Sequence, residues 1–205
     1  MEQWEKARQL DPRDPATWNN LANYYGHNGP VTKAFAYYAK AIELNPREPV
    51  YFQNFATTVY LFRMDATDYF NIPEQKVFDK ALDLYRQALA LDPTNFVLAA
   101  DLAQSYYGIR PTRYDDAMAA WQVAEKVAND DIERQGVFLH YARLQINAGK
   151  FDEARRNLDK VTQPIHDVVK GRLVRKLADE EAKAKEIKAP APAEKGKSDK
   201  SPAKN

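Results

Sequence analysis

Small alanines and large aromatic residues recur along this chain with a spacing of 34 residues. That distance separates Ala7 from Ala41 and Pro12 from Pro46. The clearest unit, residues 15–48, carries Trp18, Leu21, Ala22, Tyr25, Ala34, Tyr38, Ala41 and Pro46. A period of about 20 to 50 residues is typical of repeat architectures, in which each unit must bury its apolar face against its neighbours. The spacing therefore predicts an all-α fold in which helix pairs stack into a solenoid.

The helix boundaries of this unit are also encoded. Asn28 and Gly29 both tolerate positive φ, so they predict the turn between its two helices. Pro46 disfavours helical geometry at Asn45, so it predicts the end of the second helix. Local chemistry and repeat spacing therefore indicate the same unit.

The second unit is longer than the first. Ala34 and Ala81 are 47 residues apart, which places 13 extra residues between its helices, within an insertion at residues 63–77. Asn71, with a proline and a glutamate following it, resembles a helix start, so we expect Asn71 to cap a second helix that begins early. The aromatic residues of this insertion either anchor a partner or fold back onto the helices, and folding back is favoured because exposed aromatics promote aggregation.

The same pattern divides the rest of the chain. We predict the second helix of a truncated repeat at 1–14, repeats at 15–48, 49–95, 96–131 and 132–163, a capping helix at 164–188 and a disordered basic tail at 189–205. The tail is rich in Ala, Pro, Lys and Ser, a composition that buries too little surface to offset the loss of chain entropy. Because the first repeat is incomplete, we expect that an upstream portion with further repeats or a targeting signal is missing.

Composition narrows the class of function. The 30 Lys and Arg residues nearly balance the 29 Asp and Glu residues, so the formal net charge is +1 and no nucleic-acid partner is expected. The sequence shows neither a charged-then-apolar leader nor a stretch of about 20 apolar residues, which predicts a soluble protein without a membrane span. The compartment stays open.

Chemistry-bearing motifs are missing from the sequence. The chain has no cysteine, and His27, His140 and His166 lie in separate units without the pairing that metal sites use. It has seven glycines and neither a phosphate-binding loop nor a nucleophile elbow. We therefore expect no metal, no cofactor and no catalytic residue.

The pattern of residues 15–48 resembles that of the tetratricopeptide repeat family, and the resemblance covers roughly residues 1–162. It implies a right-handed α-solenoid of about 4.5 repeats. It also implies a non-catalytic scaffold whose concave groove binds a peptide or a helical segment of another protein. The groove positions of the family map onto Asn19, Asn20, Asn23, His27, Gln53, Asn54, Thr57, Tyr60, Ala100, Asp101, Gln104, Tyr107, Leu139, His140, Arg143 and Asn147.

One row of these positions is polar in every unit. It consists of Asn20, Asn54, Asp101 and His140. In the family such a row either holds the backbone of an extended peptide or links neighbouring repeats, and an asparagine amide suits both roles because it donates and accepts. Another mode of the family, the grip on a terminal carboxylate, uses cations and asparagines at two positions of the first helices. Only Asn23 and Arg143 could serve here, because the other position holds Asn19, Gln53, Ala100 and Leu139, none of which is cationic. A plain groove is therefore favoured.

Two further hypotheses remain open. The exposed edge at residues 1–12 and the aromatic insertion could stack one copy on another, which makes a homo-oligomer possible. Alternatively, the chain is the targeting arm of an enzyme whose catalytic part lies upstream.

Overall fold

The computed structural model describes residues 1–188, and within them the chain forms eleven α-helices and no strand. The helices are α1 (Glu2–Leu10), α2 (Pro15–Asn28), α3 (Val31–Leu44), α4 (Pro49–Leu61), α5 (Arg63–Phe70), α6 (Glu74–Leu91), α7 (Phe96–Ser105), α8 (Tyr114–Lys126), α9 (Asp131–Asn147), α10 (Phe151–Asp159) and α11 (Asp167–Lys188). The tail predicted for 189–205 lies outside the described residues. None of the helices in 1–188 combines the length and the apolar composition needed to cross a bilayer.

Successive helices pack against each other along the chain. α2 pairs with α3, α4 with α6, α7 with α8, and α9 with α10, while α3, α6 and α8 each contact the first helix of the next pair. Contacts therefore run from neighbour to neighbour, as a stack of helix pairs requires. The prediction of an all-α solenoid is confirmed.

Short polar side chains cap the N-termini of α2, α7 and α9, each of which is the first helix of its pair. The Asp14 carboxylate accepts hydrogen bonds from the backbone N–H groups of Ala16 and Thr17, both at 3.1 Å. Asn95 and Asp130 cap α7 and α9 in the same way. These side chains satisfy N–H groups that have no partner inside the helix. At the other end of α2, Gly29 takes a φ of 69°, a conformation that glycine adopts without steric cost.

Alanines at the helix contacts are completely or almost completely buried. Ala22, Ala34, Ala56, Ala81, Ala88, Ala103, Ala117, Ala124, Ala142 and Ala154 are at most 1% exposed. Their small side chains let the backbones approach, and large side chains such as Phe35, Tyr38 and Trp121 fill the remaining space between helices. The sequence pattern of alanine and aromatic residues is thus the packing pattern of the core.

The insertion contains a helix of its own, and one prediction about it is wrong. Asn71 does not cap α6; it ends α5 in the left-handed conformation, with φ 52° and ψ 48°. Asparagine tolerates this conformation, and the Asn71 N–H donates to the carbonyl of Asp68 at 3.3 Å. α6 starts after Pro73, at Glu74, whose carboxylate pairs with Arg63 at 2.8 Å. The ion pair links the two ends of the insertion.

The aromatic part of the insertion folds back onto the solenoid. The ring of Phe70 lies 5.7 Å from that of Phe35 and 6.4 Å from that of Phe55. Ile72 also packs against this core, whereas Met64 is 65% exposed and Tyr69 is 43% exposed. The favoured alternative, folding back, is therefore confirmed for Phe70 and Ile72. Tyr69 keeps an exposed edge although its ring lies 5.3 Å from that of Phe35, and Met64 is the most exposed of these apolar side chains.

The two ends of the described chain are covered differently. α11 packs on α9 and α10, with Leu173 and Leu177 buried in a second apolar cluster beside Leu158. α1 contacts α2 but keeps the side chains of Trp4 and Leu10 exposed. The apolar surface of the last pair is therefore covered by α11, while that of α1 is open.

Candidate protein-binding groove

The sixteen predicted groove residues lie on one set of helices. Fifteen are on α2, α4, α7 and α9, and Tyr107 is in the 3₁₀ turn that follows α7. Three of them, Asn19, Ala100 and Leu139, are less than 9% exposed, so their side chains serve mainly the packing between helices. Most of the remaining side chains are half-buried, so they are partly accessible on the surface of the helices.

Side-chain hydrogen bonds link neighbouring units along this surface. The Asn54 Nδ2 donates to Asn19 Oδ1 at 3.1 Å and joins α4 to α2. The Gln53 Nε2 donates to Asp101 Oδ2 at 2.8 Å and joins α4 to α7. Within the predicted polar row, Asn54 and Asp101 therefore link repeats. Their amide and carboxylate groups still have hydrogen-bonding capacity beyond these single contacts.

Tyrosines of the second helices form hydrogen bonds with two predicted groove residues. The Tyr38 hydroxyl donates to Asn23 Oδ1 at 2.6 Å, and the hydroxyl oxygens of Tyr85 and Thr57 lie 2.8 Å apart. Burial raises the pKa of both tyrosines above the usual value, so they stay protonated. Tyr38 belongs to the repeat pattern, and the sequence indicated no groove role for it or for Tyr85. Their hydroxyl groups, which phenylalanine would lack, were the signal of a role at the groove.

A small cleft opens between α2 and α4. Its volume is about 210 Å³, and its lining consists of Asn23, Gly26, His27, Tyr38, Asn54, Thr57, Thr58, Leu61 and Phe62. Amide and hydroxyl groups therefore lie beside an apolar wall, and no Asp, Glu, Lys or Arg side chain contributes. Such a lining suits a neutral peptide unit and an apolar side chain.

Tyr60, a predicted groove residue of α4, reaches the turn that follows α7. Its hydroxyl occupies the space that a side chain on Gly108 would need, since a Cβ built there would lie 2.2 Å from the Tyr60 hydroxyl oxygen. The ring also lies 5.9 Å from that of Phe78. The position of the Tyr60 side chain therefore depends on a glycine in the turn after α7.

An aromatic cluster forms the far part of the groove. The His140 imidazole stacks on the Trp121 indole, and its Nδ1 lies 2.9 Å from the Tyr107 hydroxyl. Burial and, secondarily, the charge of Arg143 lower the pKa of His140 to about 4. Burial raises the pKa of Tyr107 to about 12, so at neutral pH a protonated phenol faces a neutral imidazole, and the imidazole tautomer decides which of the two groups donates.

A second cavity adjoins this cluster between α7 and α9. Its volume is about 240 Å³, and it is lined by Phe96, Ala100, Gln104, Trp121, Ile132, Glu133, Gly136, Val137, His140 and His166. His140 and His166, which belong to separate sequence units, thus line the same cavity. Within residues 1–188, however, no three His, Cys, Asp or Glu side chains are grouped so that they could hold a metal ion.

The sequence profile of the tetratricopeptide repeat matches residues 15–48. Among curated proteins, the chain is 32% identical to the photosystem I assembly protein Ycf3 of Cyanophora paradoxa over 103 residues, which is 48% of this chain and 60% of that protein. The Ycf3 protein of Sorghum bicolor is 33% identical over 94 residues, or 44% of this chain and 54% of that protein. The chain thus spans between half and 60% of the length of these relatives.

Solved structures show the same fold. One is YrrB, described as a tetratricopeptide repeat protein with an unusual peptide-binding site, with a TM-score of 0.59 and 19% identity over 90% of this chain and 91% of that chain. Another is a thermophilic tetratricopeptide repeat protein of Thermus thermophilus, with a TM-score of 0.59 and 20% identity over 85% of this chain and 87% of that chain. At these identities the likeness concerns the architecture of stacked helix pairs.

Proposed function

This chain is a tetratricopeptide repeat protein, and we propose that it acts as a non-catalytic scaffold that binds a segment of another protein along α2, α4, α7 and α9. One observation carries the proposal. Five groove side chains on four successive first helices make no side-chain hydrogen bond within residues 1–188, although each has a group that forms them. They are Asn20, His27, Tyr60, Gln104 and Arg143.

These free groups alternate with groups that are already held. Asn23, Gln53 and Asn54 are fixed by partners within the solenoid, so they do not need to be ordered when a ligand binds. Preorganised groups lower the entropic cost of binding. An extended segment in this groove would meet neutral amides that pair with its backbone, and the cleft beside Leu61 and Phe62 would receive an apolar side chain.

A pull-down from the native lysate, with this chain as the bait, tests the proposal. We compare the wild-type chain with a variant in which Asn23, Tyr60 and Arg143 are replaced by alanine. A matched control replaces Glu43, Gln87 and Gln122, which are exposed on the second helices α3, α6 and α8. We expect recovery of bound proteins to fall by about tenfold for the groove variant only. Equal recovery with a folded groove variant contradicts the assignment.

The curated relatives favour a narrower form of this function. The proteins that match 44% to 48% of the chain are named as assembly proteins of photosystem I. We propose, as a second candidate, that the groove holds a segment of one subunit while a larger complex assembles. Mass spectrometry of the captured proteins tests this. Single subunits without the rest of their complex support an assembly role, whereas intact complexes oppose it.

A further inference from the structure

The far end of the groove holds two cations that have no ionic partner. The Arg143 guanidinium lies 5.4 Å from the centre of the Tyr107 ring, and the Lys176 Nζ donates to Asn147 Oδ1 at 2.5 Å. Neither cation lies within 4.0 Å of a carboxylate in the described part of the chain. We call Arg143, Asn147 and Lys176 the cationic corner.

Carboxylates on α11 and in the groove have closer partners of their own. Glu180 follows Lys176 by one turn of α11 and pairs with Lys183 at 2.9 Å, and the charge of Lys176 is a smaller cause of its lowered pKa. In the groove itself, Asp101 accepts from Gln53, and Glu133 accepts from the backbone and side-chain nitrogens of Asn129. Within residues 1–188 the two cations of the corner therefore make no direct ion pair, and each can bind an external anion.

Both cations are half-buried and positioned. Arg172 and Arg175, on the same helix as Lys176, are exposed, whereas Arg143 rests on the Tyr107 ring and Lys176 on the Asn147 amide. The charge of Arg143 also helps, after burial, to lower the pKa of His140. A cation that is already ordered binds an anion at a lower entropic cost than a freely moving surface cation.

The spacing of the corner matches an extended acidic segment. Residues 143 and 147 lie one turn apart on the same face of α9, where Cβ atoms are about 5 to 6 Å apart. In an extended chain, residues i and i+2 project to the same side and lie about 6.6 Å apart. Two carboxylates in this alternating arrangement could meet Arg143 and the Lys176–Asn147 pair in turn.

We propose that the cationic corner binds the side-chain carboxylates of a partner segment in which two acidic residues are separated by one residue. This inference rests on the proposed groove function and names the chemistry of the segment at one end of the groove. Side chains are favoured over a chain terminus because the corner offers two separate positive points. Binding through side chains, rather than through a chain terminus, also lets the segment continue along the groove toward α4, where the neutral cleft lies.

Three fluorescent peptides test the proposal by anisotropy at about 20 mM salt, where screening is weak. The first alternates glutamate and serine and has an amidated C-terminus. The second replaces glutamate by glutamine and is also amidated, and the third is the glutamine peptide with a free C-terminus. We expect binding of the glutamate peptide alone. Binding of the free-terminus glutamine peptide alone would indicate recognition of a chain end and overturn the proposal, as would equal binding of the two amidated peptides.

Substitutions locate the site. We expect Arg143→Gln together with Lys176→Gln to weaken binding of the glutamate peptide by about tenfold, and Arg143→Lys, which keeps the charge, to retain most of it. Arg172→Gln with Arg175→Gln removes the same net charge from exposed positions and should have little effect. An equal loss in both double variants would indicate general attraction and refute the corner.

Failure of the cationic corner can be distinguished from failure of the proposed groove. A double variant, Asn23→Ala with Tyr60→Ala, leaves the corner intact. If capture of native partners falls for this variant while the double variant at Arg143 and Lys176 captures them normally, the groove stands and the cationic corner fails. If the glutamate peptide needs Arg143 and Lys176 but capture does not depend on Asn23 and Tyr60, the corner stands and the extended groove fails.

Discussion

The imidazole of His140 lies flat on the indole of Trp121, with ring centroids 3.8 Å apart and planes 10° from parallel. The contact joins α9 to α8, and it holds a titratable ring among aromatic groups. A charged imidazole would be poorly solvated there and would also face the Arg143 cation. Folding therefore favours neutral His140.

This arrangement predicts a loss of stability in acid. The folded-state pKa of His140 is about 4, below the unfolded value of about 6.5. The stabilisation is thus complete above pH 6.5 and is lost as the pH falls toward 4, because the unfolded chain binds the proton first. Between pH 7 and 4.5, urea unfolding of the wild type should lose roughly 2 kcal/mol more than that of His140→Phe. If the free energies of unfolding of the wild type and of His140→Phe changed equally with pH, the prediction of a lowered His140 pKa would be contradicted.

The buried alanines predict a clear contrast on α3. Ala34 is fully buried, whereas Ala36 is exposed on the same helix. Ala34→Leu should lower the free energy of unfolding by about 1 to 3 kcal/mol, because extra methylene groups force packed helices apart. Ala36→Leu should change it by less than about 0.5 kcal/mol. Urea denaturation measures both, and a similar effect at the two positions would refute the proposed contact role of Ala34.

We expect Phe70 of the insertion to contribute to the stability of the core and Met64 not to contribute. Phe70→Ala removes ring contacts with Phe35 and Phe55 and should cost about 2 to 3 kcal/mol. Met64→Ala, at a position that is 65% exposed, should cost less than about 0.5 kcal/mol. Thermal and urea unfolding provide the comparison. If Phe70→Ala unfolds like the wild type, α5 does not dock as described.

Two glycines predict effects of opposite sign. A Cβ at Gly108 would collide with the Tyr60 hydroxyl, so Gly108→Ala should displace Tyr60 and destabilise the protein by about 1 kcal/mol. A Cβ at Gly171, inside α11, meets no atom within 4 Å, so Gly171→Ala should stabilise it by about 0.5 to 1 kcal/mol through helix propensity. Circular dichroism melts report both shifts. Stabilisation by Gly108→Ala is the result that contradicts the packing of Tyr60.

Much of the fold was predictable because its signals are local. The alternation of alanine and aromatic residues predicts which helix faces pack, and Gly29 and Pro46 mark a turn and a helix end by their own backbone chemistry. Asn71 shows the limit of such reasoning. An asparagine suits both the start of a helix and the left-handed end of one, and the adjacent helix α5 decided between them.

The groove was less predictable than the solenoid. Family positions identified Asn54 and Asp101, but their hydrogen bonds reach partners 35 and 48 residues away along the chain. Likewise, no pattern in the sequence pairs Arg143 with the ring of Tyr107 or Lys176 with Asn147. Such contacts depend on how the helix pairs are rotated and spaced.

The sequence by itself determined the helix pairs, because small and large residues at a regular spacing specify which faces come together. Only the tertiary structure decided which polar groups are hydrogen-bonded inside the solenoid and which have no such partner within residues 1–188. The physical reason is distance: a helix face is encoded within a few turns, whereas a hydrogen bond between units depends on the packing of every helix between its two ends.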